Sequence, residues 1–248
     1  MKKLLSVALV FLAMGFTQVS ASVVVQWTFE DDAITPSTGT GTAANVGGTS
    51  SAFATGNGGG RGWNTSAYRA QSTASGTAGV QFLADMAGFQ GIQFSFDHRS
   101  SGTGSRWAQI DYTLDGGTNW TTGFWNNSGG LSPHDTFYSF NVDFSSVVGA
   151  NNNANFGVRI VSIFSPLAFS ENTSNNFGAN SAYMRANAQA VYGSGPGSGT
   201  GTYGVAGTWR FDNVTFAATA IPEPSSMLAL GSMAVLGLLR NRFKKQPV

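Results

Sequence analysis

The chain of 248 residues has no cysteine, only two histidines and few charges, 10% of the sequence. Each shortage removes a class of explanation. Without cysteine no disulfide framework can hold the fold, so a core or a bound ion must. His98 and His134 stand apart, with no His-Glu-x-x-His pattern, which leaves zinc chemistry without a ligand set. The Gly/Ser stretch Gly195–Gly199 is low-complexity sequence, not the strand-to-helix elbow that a serine nucleophile needs. No segment between residues 22 and 219 reads as an amphipathic helix, and no internal repeat is visible.

The two ends carry their own patterns. Lys2 and Lys3 precede an apolar stretch from Leu4 to Phe16, and Val19-Ser20-Ala21 offers small residues for cleavage, so residues 1–21 read as a helical signal peptide cut after Ala21. At the other end Pro222-Glu223-Pro224 is followed by an apolar run and a basic cluster containing Arg240, Arg242, Lys244 and Lys245. Ser225–Leu239 would cover about 22 Å as a helix, against a hydrocarbon core of about 30 Å, which makes a short transmembrane helix suited to temporary retention. The basic cluster would stay cytoplasmic, with everything before it outside.

Residues 220–248 resemble the PEP-CTERM sorting signal. The resemblance implies an exported protein held transiently in the inner membrane, processed by an exosortase-type protease, and delivered to the outer envelope or extracellular matrix in association with exopolysaccharide.

Between these ends, residues 22–219 form one domain-sized body. Its basic residues are seven arginines against eleven carboxylates, a net charge of −4, with no lysine at all. Such a surface has no footprint for phosphates, so nucleic acid is not an expected partner.

Apolar residues recur with period two. Ile92, Phe94 and Phe96 alternate with Gln93, Ser95 and Asp97; Ala108, Ile110, Tyr112 and Leu114 alternate with Gln109, Asp111 and Thr113; and Tyr138, Phe140, Val142 and Phe144 repeat the device. Phe156–Phe164 is apolar at most positions, as a central strand would be. Further strands are expected at Val23–Phe29, Val80–Leu83 and Trp209–Phe216. The expected fold is all-β, a two-sheet jelly-roll-like sandwich. Thr35–Arg61 and Gly193–Gly204, rich in Gly, Ser and Thr, read as surface loops.

Phe94–Arg99, Tyr112–Gly116, Arg159–Phe164 and Gly207–Val214 together resemble an uncharacterised extracellular β-sandwich found ahead of PEP-CTERM tails, which implies a fold but no reaction. Thr113–Trp120 resembles the Asp-box of sialidases, a folded turn remote from chemistry in that family. The residues themselves predict a hairpin closed by Asp115 and packed under Trp120.

Four groups of residues are candidates for function. Asp97 and Asp111, on polar strand faces, could oppose each other as a carboxylate pair, though such acids more often meet water or arginine, so an enzyme is not expected. Glu30 and Asp212, near the first and last strands, are candidates for structural Ca²⁺, with backbone hydrogen bonding as the simpler role. Trp63, Trp107, Trp120 and Trp125 lie in or beside Gly/Asn-rich segments, where exposed indoles could stack on sugars. Asn64, Asn119, Asn126, Asn172 and Asn213 begin Asn-x-Ser/Thr triplets. Two readings follow: a non-enzymatic surface or matrix component, or a carbohydrate-binding module using the loop tryptophans. A shared exposed face bearing several of these tryptophans favours the second.

Overall fold

A computed structural model describes residues 20–123, 131, 135–165, 182–186 and 203–222. The histidine His134, Trp125, Asn126 and Asn172, and the sorting residues from Glu223 through Pro224, Arg240 and Arg242, lie outside the described residues, as does the signal segment before Ser20. No helix among the described residues is long and apolar enough to cross a membrane.

The described residues form two antiparallel sheets. One contains β1 (Ser22–Trp27), β3 (Ser50–Gly56), β4 (Gly59–Ser66), β6 (Phe89–Ser100), β9 (Tyr138–Asp143) and β11 (Trp209–Ala220), in the order β3-β4-β11-β6-β9, with β1 beside the second half of β11. The other contains β2 (Gly41–Val46), β5 (Gly79–Ala84), β7 (Ala108–Thr113), β8 (Thr121–Thr122) and β10 (Phe156–Ser162), in the order β2-β5-β10-β7-β8. The chain passes repeatedly from one sheet to the other, the wrapping of a jelly-roll-like sandwich. First and last strands are neighbours, as expected, with Trp27 opposite Val214.

Alternation in the sequence explains which residues meet. Ile92, Phe94 and Phe96 of β6 point inward with Phe211, Val214 and Phe216 of β11, against Phe82 of β5 and Phe156 and Ile160 of β10. The rings interlock at defined angles: Phe94 lies 4.8 Å from Phe216, and Trp27 meets Phe82 edge-on at 5.2 Å. Three indoles, Trp27, Trp63 and Trp209, are fully buried, and each donates its N–H, to Ile34 O, Ser51 Oγ and Ser105 O respectively. Burial of such rings is the main source of stability, about 2–3 kcal/mol each.

The sequence reading of Thr35–Arg61 as a loop is corrected here. The segment holds β2, β3 and the start of β4. Its residues are small because both strands lie at edges of their sheets, where little apolar bulk is needed. Its glycines mark close approaches: a Cβ on Gly56 would come within 2.4 Å of Asp212 Oδ2.

One irregularity shapes a surface. Between Asp212 and Thr215 the β11 register against β6 shifts, and Asn213 takes φ +48° as the extra residue of a bulge. This leaves Asp212 directly opposite Asp97, both facing outward.

Candidate functional site

The outer face of the five-stranded sheet carries a row of polar side chains. Cross-strand pairing aligns Ala44, Gln81, Arg159, Asp111 and Thr122, one from each strand. Arg159 Nε donates to Asp111 Oδ2 at 2.7 Å, and Gln109 Nε2 donates to Asp111 Oδ1 at 2.7 Å and to Thr122 Oγ1 at 3.2 Å. Asp111 is almost buried at 2% side-chain exposure, whereas Arg159 keeps 23%, so the cation is the half of this pair that a ligand can reach.

Two of the named tryptophans flank this row. The β10–β7 ladder continues through the Ile163 N–H bond to Trp107 O, which puts Trp107 on the same side of the sheet as Gln109 and Asp111. Trp107 is partly exposed through its ring, while its Nε1 is buried and has no hydrogen-bond partner among the described residues. At the far end Trp120 donates Nε1–H to Gly117 O, and the Arg159 guanidinium lies 4.8 Å from its ring centroid. Trp120 therefore serves as a platform for Arg159. Arg159 covers one face of that indole, while Trp120 as a whole stays partly exposed.

The expected hairpin is present at this end. Thr113 Oγ1 and Asn119 N both donate to Asp115 Oδ1, Asn119 Nδ2 donates to Asp115 Oδ2, and Gly116 and Gly117 take φ +71° and +93°. These bonds, the Asn119 N–H first, hold the Asp115 carboxyl down at about 2.

Trp63 is a second correction. It is fully buried between the sheets, with Phe29 and Phe82 each 5.8 Å away, so no sugar can stack on it. Asp97 and Asp111 do not oppose each other either. They belong to different sheets and face opposite sides of the sandwich.

Asp97 instead faces Asp212. Asn57 joins them, its backbone N–H donating to Asp212 Oδ2 at 2.7 Å and its Nδ2 to Asp97 Oδ2 at 3.0 Å. Asn213 Nδ2 and Ser139 Oγ also donate to Asp97, and Asn213 N–H to Asp212 Oδ1. Burial raises the pKa of Asp212, and the nearby Asp97 and Glu30 add to that rise, while the Asn57 and Asn213 N–H bonds oppose it. Glu30 is near enough for its charge to act on Asp212, but its Oε2 accepts the Arg61 N–H at 3.0 Å. Among the described residues no three His, Asp or Glu side chains gather as a metal site would need.

Of the described Asn-x-Ser/Thr residues, Asn119 and Asn213 already commit their side-chain amides to Asp115 and Asp97. The Arg159–Asp111–Gln109 network was missed from sequence, although Arg159 alternates with Val158 and Ile160 and so had to face outward.

No family model and no curated protein matches this sequence. Solved structures do. The chain is similar to the xylan-binding CBM22-1 domain of Paenibacillus barcinonensis Xyn10C, at 10% identity and TM-score 0.46, over 82% of this chain and 98% of that one. It is similar to the CBM22-1-GH10 modules of a Clostridium thermocellum xylanase complexed with xylohexaose, at 14% identity and TM-score 0.42, over 81% of this chain and 29% of that one. A third is the carbohydrate-binding module of Cellvibrio mixtus lichenase 5A in complex with cellotriose, at 13% identity and TM-score 0.34, over 80% and 99% of the two chains. Identities and scores of this size do not carry a function from one chain to another.

Proposed function

We propose that the chain is an exported, non-enzymatic cell-surface or matrix protein whose sandwich binds neutral polysaccharide on the outer face of the five-stranded sheet. One observation carries the binding reading: the hydrogen-bonded row Gln109, Asp111 and Arg159, with Gln81 beside it, lies between Trp107 and Trp120. Planar amide and guanidinium groups suit sugar hydroxyls, and the partly exposed ring of Trp107 suits a sugar face. Asp111 and Arg159 cancel each other's charge, which favours an uncharged glycan.

From Trp107 to Thr113 the strand covers about 20 Å, a length that fits an extended oligosaccharide better than a single ring. Catalysis has no support in this arrangement. The carboxylates Asp97 and Asp212 have all four oxygens engaged by amide or hydroxyl donors, and Asp111 has both of its own engaged.

A glycan array that includes the host's exopolysaccharide tests the reading. Trp107→Ala and Arg159→Gln should each weaken binding about tenfold or more, with Trp107→Ala leaving the fold intact. Unchanged binding in both variants would remove the five-stranded face from consideration.

The address belongs to the same proposal. The ends, Ala21 and the Pro222-Glu223-Pro224 tail with Arg240 and Arg242, support passage through the inner membrane and removal of the tail by an exosortase-type protease. Mass spectrometry of the mature protein from its host should show Ser22 as the first residue and nothing beyond Met227. A mature chain ending at Val248 would refute the processing step.

A further inference from the structure

The outer face of the six-stranded sheet, on the other side of the sandwich, holds an unusual pair. Arg210 of β11 and Arg99 of β6 are directly opposite one another. Both face outward, because their strand neighbours Trp209, Phe211, His98 and Ser100 are buried. Like charges placed opposite each other across two strands repel and lower stability.

Neither guanidinium forms an ion pair among the described residues. Among the described residues Arg99 has no hydrogen-bond or ion-pair partner. Arg210 donates Nε–H to Asn64 Oδ1 at 3.2 Å and Nη1–H to Thr55 O at 2.7 Å, which fixes the guanidinium but offsets none of its charge. Burial first, then the fields of Arg99 and Arg61, lower the pKa of Arg210. The acids on the same face, Asp97 and Asp212, sit two residues further along each strand and are engaged by Asn57, Asn213 and Ser139 instead. A body with net charge −4 has therefore left two arginines side by side, one clamped by neutral acceptors and one without a partner among the described residues.

We propose that Arg99 and Arg210 form a second binding site, which takes the carboxylate of an acidic, uronate-containing polysaccharide. The Arg99 fork, with the Nη donors that Arg210 has left, matches a carboxylate, and the bound anion would relieve the repulsion between them. The surroundings favour a saccharide over an acidic protein. Beyond the aspartates, the cross-strand row Gln26, Thr215, Ser95 and Asn141 presents only amides and hydroxyls along a sheet face. This site stands whether or not the five-stranded face binds sugar.

Polygalacturonate and its methyl ester separate charge from backbone, and calorimetric titration of the purified protein with each is the test. Saturable binding to the acid form only, weakened on raising the salt, is the expected result. Arg99→Gln should lower that affinity about tenfold or more without lowering the melting temperature, because Arg99 holds nothing in place. Arg99→Lys should fall between the two, keeping the charge and losing the fork. Trp107→Ala should leave acid binding unchanged, which distinguishes this site from the five-stranded face. Equal binding of acid and ester, or no effect of Arg99→Gln, would overturn the proposal; equal binding of poly-glutamate would overturn its saccharide assignment.

Discussion

Acidification from pH 6.5 towards pH 4 should destabilise the domain steeply, and His98→Phe should flatten that dependence. His98 is fully buried, its two ring nitrogens have no hydrogen-bond partner among the described residues, and burial pushes its pKa down to about 3. The ring stacks on Phe211 at 4.7 Å and 4° and meets Trp209 edge-on at 5.0 Å, so it behaves as an aromatic filler. In the unfolded chain the same imidazole titrates near 6.5. Below that pH the unfolded state binds a proton that the folded state refuses. The contribution of neutral His98 is therefore complete above pH 6.5 and is lost as pH falls towards 3, at about 1.4 kcal/mol per pH unit.

At pH 5 the loss should be about 2 kcal/mol relative to pH 7, a large share of an ordinary domain's stability. Urea denaturation at the two pH values measures it. The depressed groups Asp115 and Asp143 lose their contributions only lower, as pH falls below the usual carboxylate range, and Asp212, whose pKa burial raises, acts in the opposite sense, so the difference between the parent and His98→Phe isolates the imidazole. Phenylalanine keeps the ring stack and carries no proton. If His98→Phe retains the full pH dependence between 5 and 7, the buried imidazole is not its source.

His98 also shows where sequence reading stops. The alternation Ile92, Phe94, Phe96 continues to His98 by parity alone, so its inward position was available from the strand pattern, while the absence of any partner was not. The large-residue strands β1, β5, β6, β7, β9, β10 and β11 were legible for the same reason: bulky apolar side chains at period two announce a buried face. Strands β2, β3 and β4 were hidden because Gly, Ala, Ser and Thr fill them, and those residues look like loop. The site was legible only in pieces. Asp115 and Trp120 form a local turn that a short motif can encode, but the meeting of Arg159 with Trp120, and of Asp97 with Asp212, depends on strand order and on one bulge. Nothing local in the sequence fixes either.

The same confusion of glycine with loop governs the second large effect. Trp63 follows Gly59-Gly60-Arg61-Gly62, which suggested an exposed indole, yet Gly62 is there because Phe211 O would lie 3.0 Å from a Cβ at that position. The strand is pressed close against β11, and the indole beside it fills the centre of the core, in contact with Phe29, Phe82 and Phe211. Trp63→Ala should cost about 3–5 kcal/mol, through lost apolar burial and the cavity left behind. That is enough to unfold much of the population of a domain of ordinary stability. Trp63→Phe should cost less than half as much, because the ring is largely kept and Ser51 Oγ, released from the indole N–H, still donates to Asn45 Oδ1 at 2.6 Å. Chemical denaturation of both variants beside Trp107→Ala separates the two kinds of tryptophan. Trp63 variants should lose stability, with binding falling only as the fold is lost, while Trp107→Ala should lose binding and keep the denaturation midpoint. A Trp63→Ala protein within 1 kcal/mol of the parent, roughly the cost of an unremarkable substitution, would mean that this indole does not hold the two sheets together.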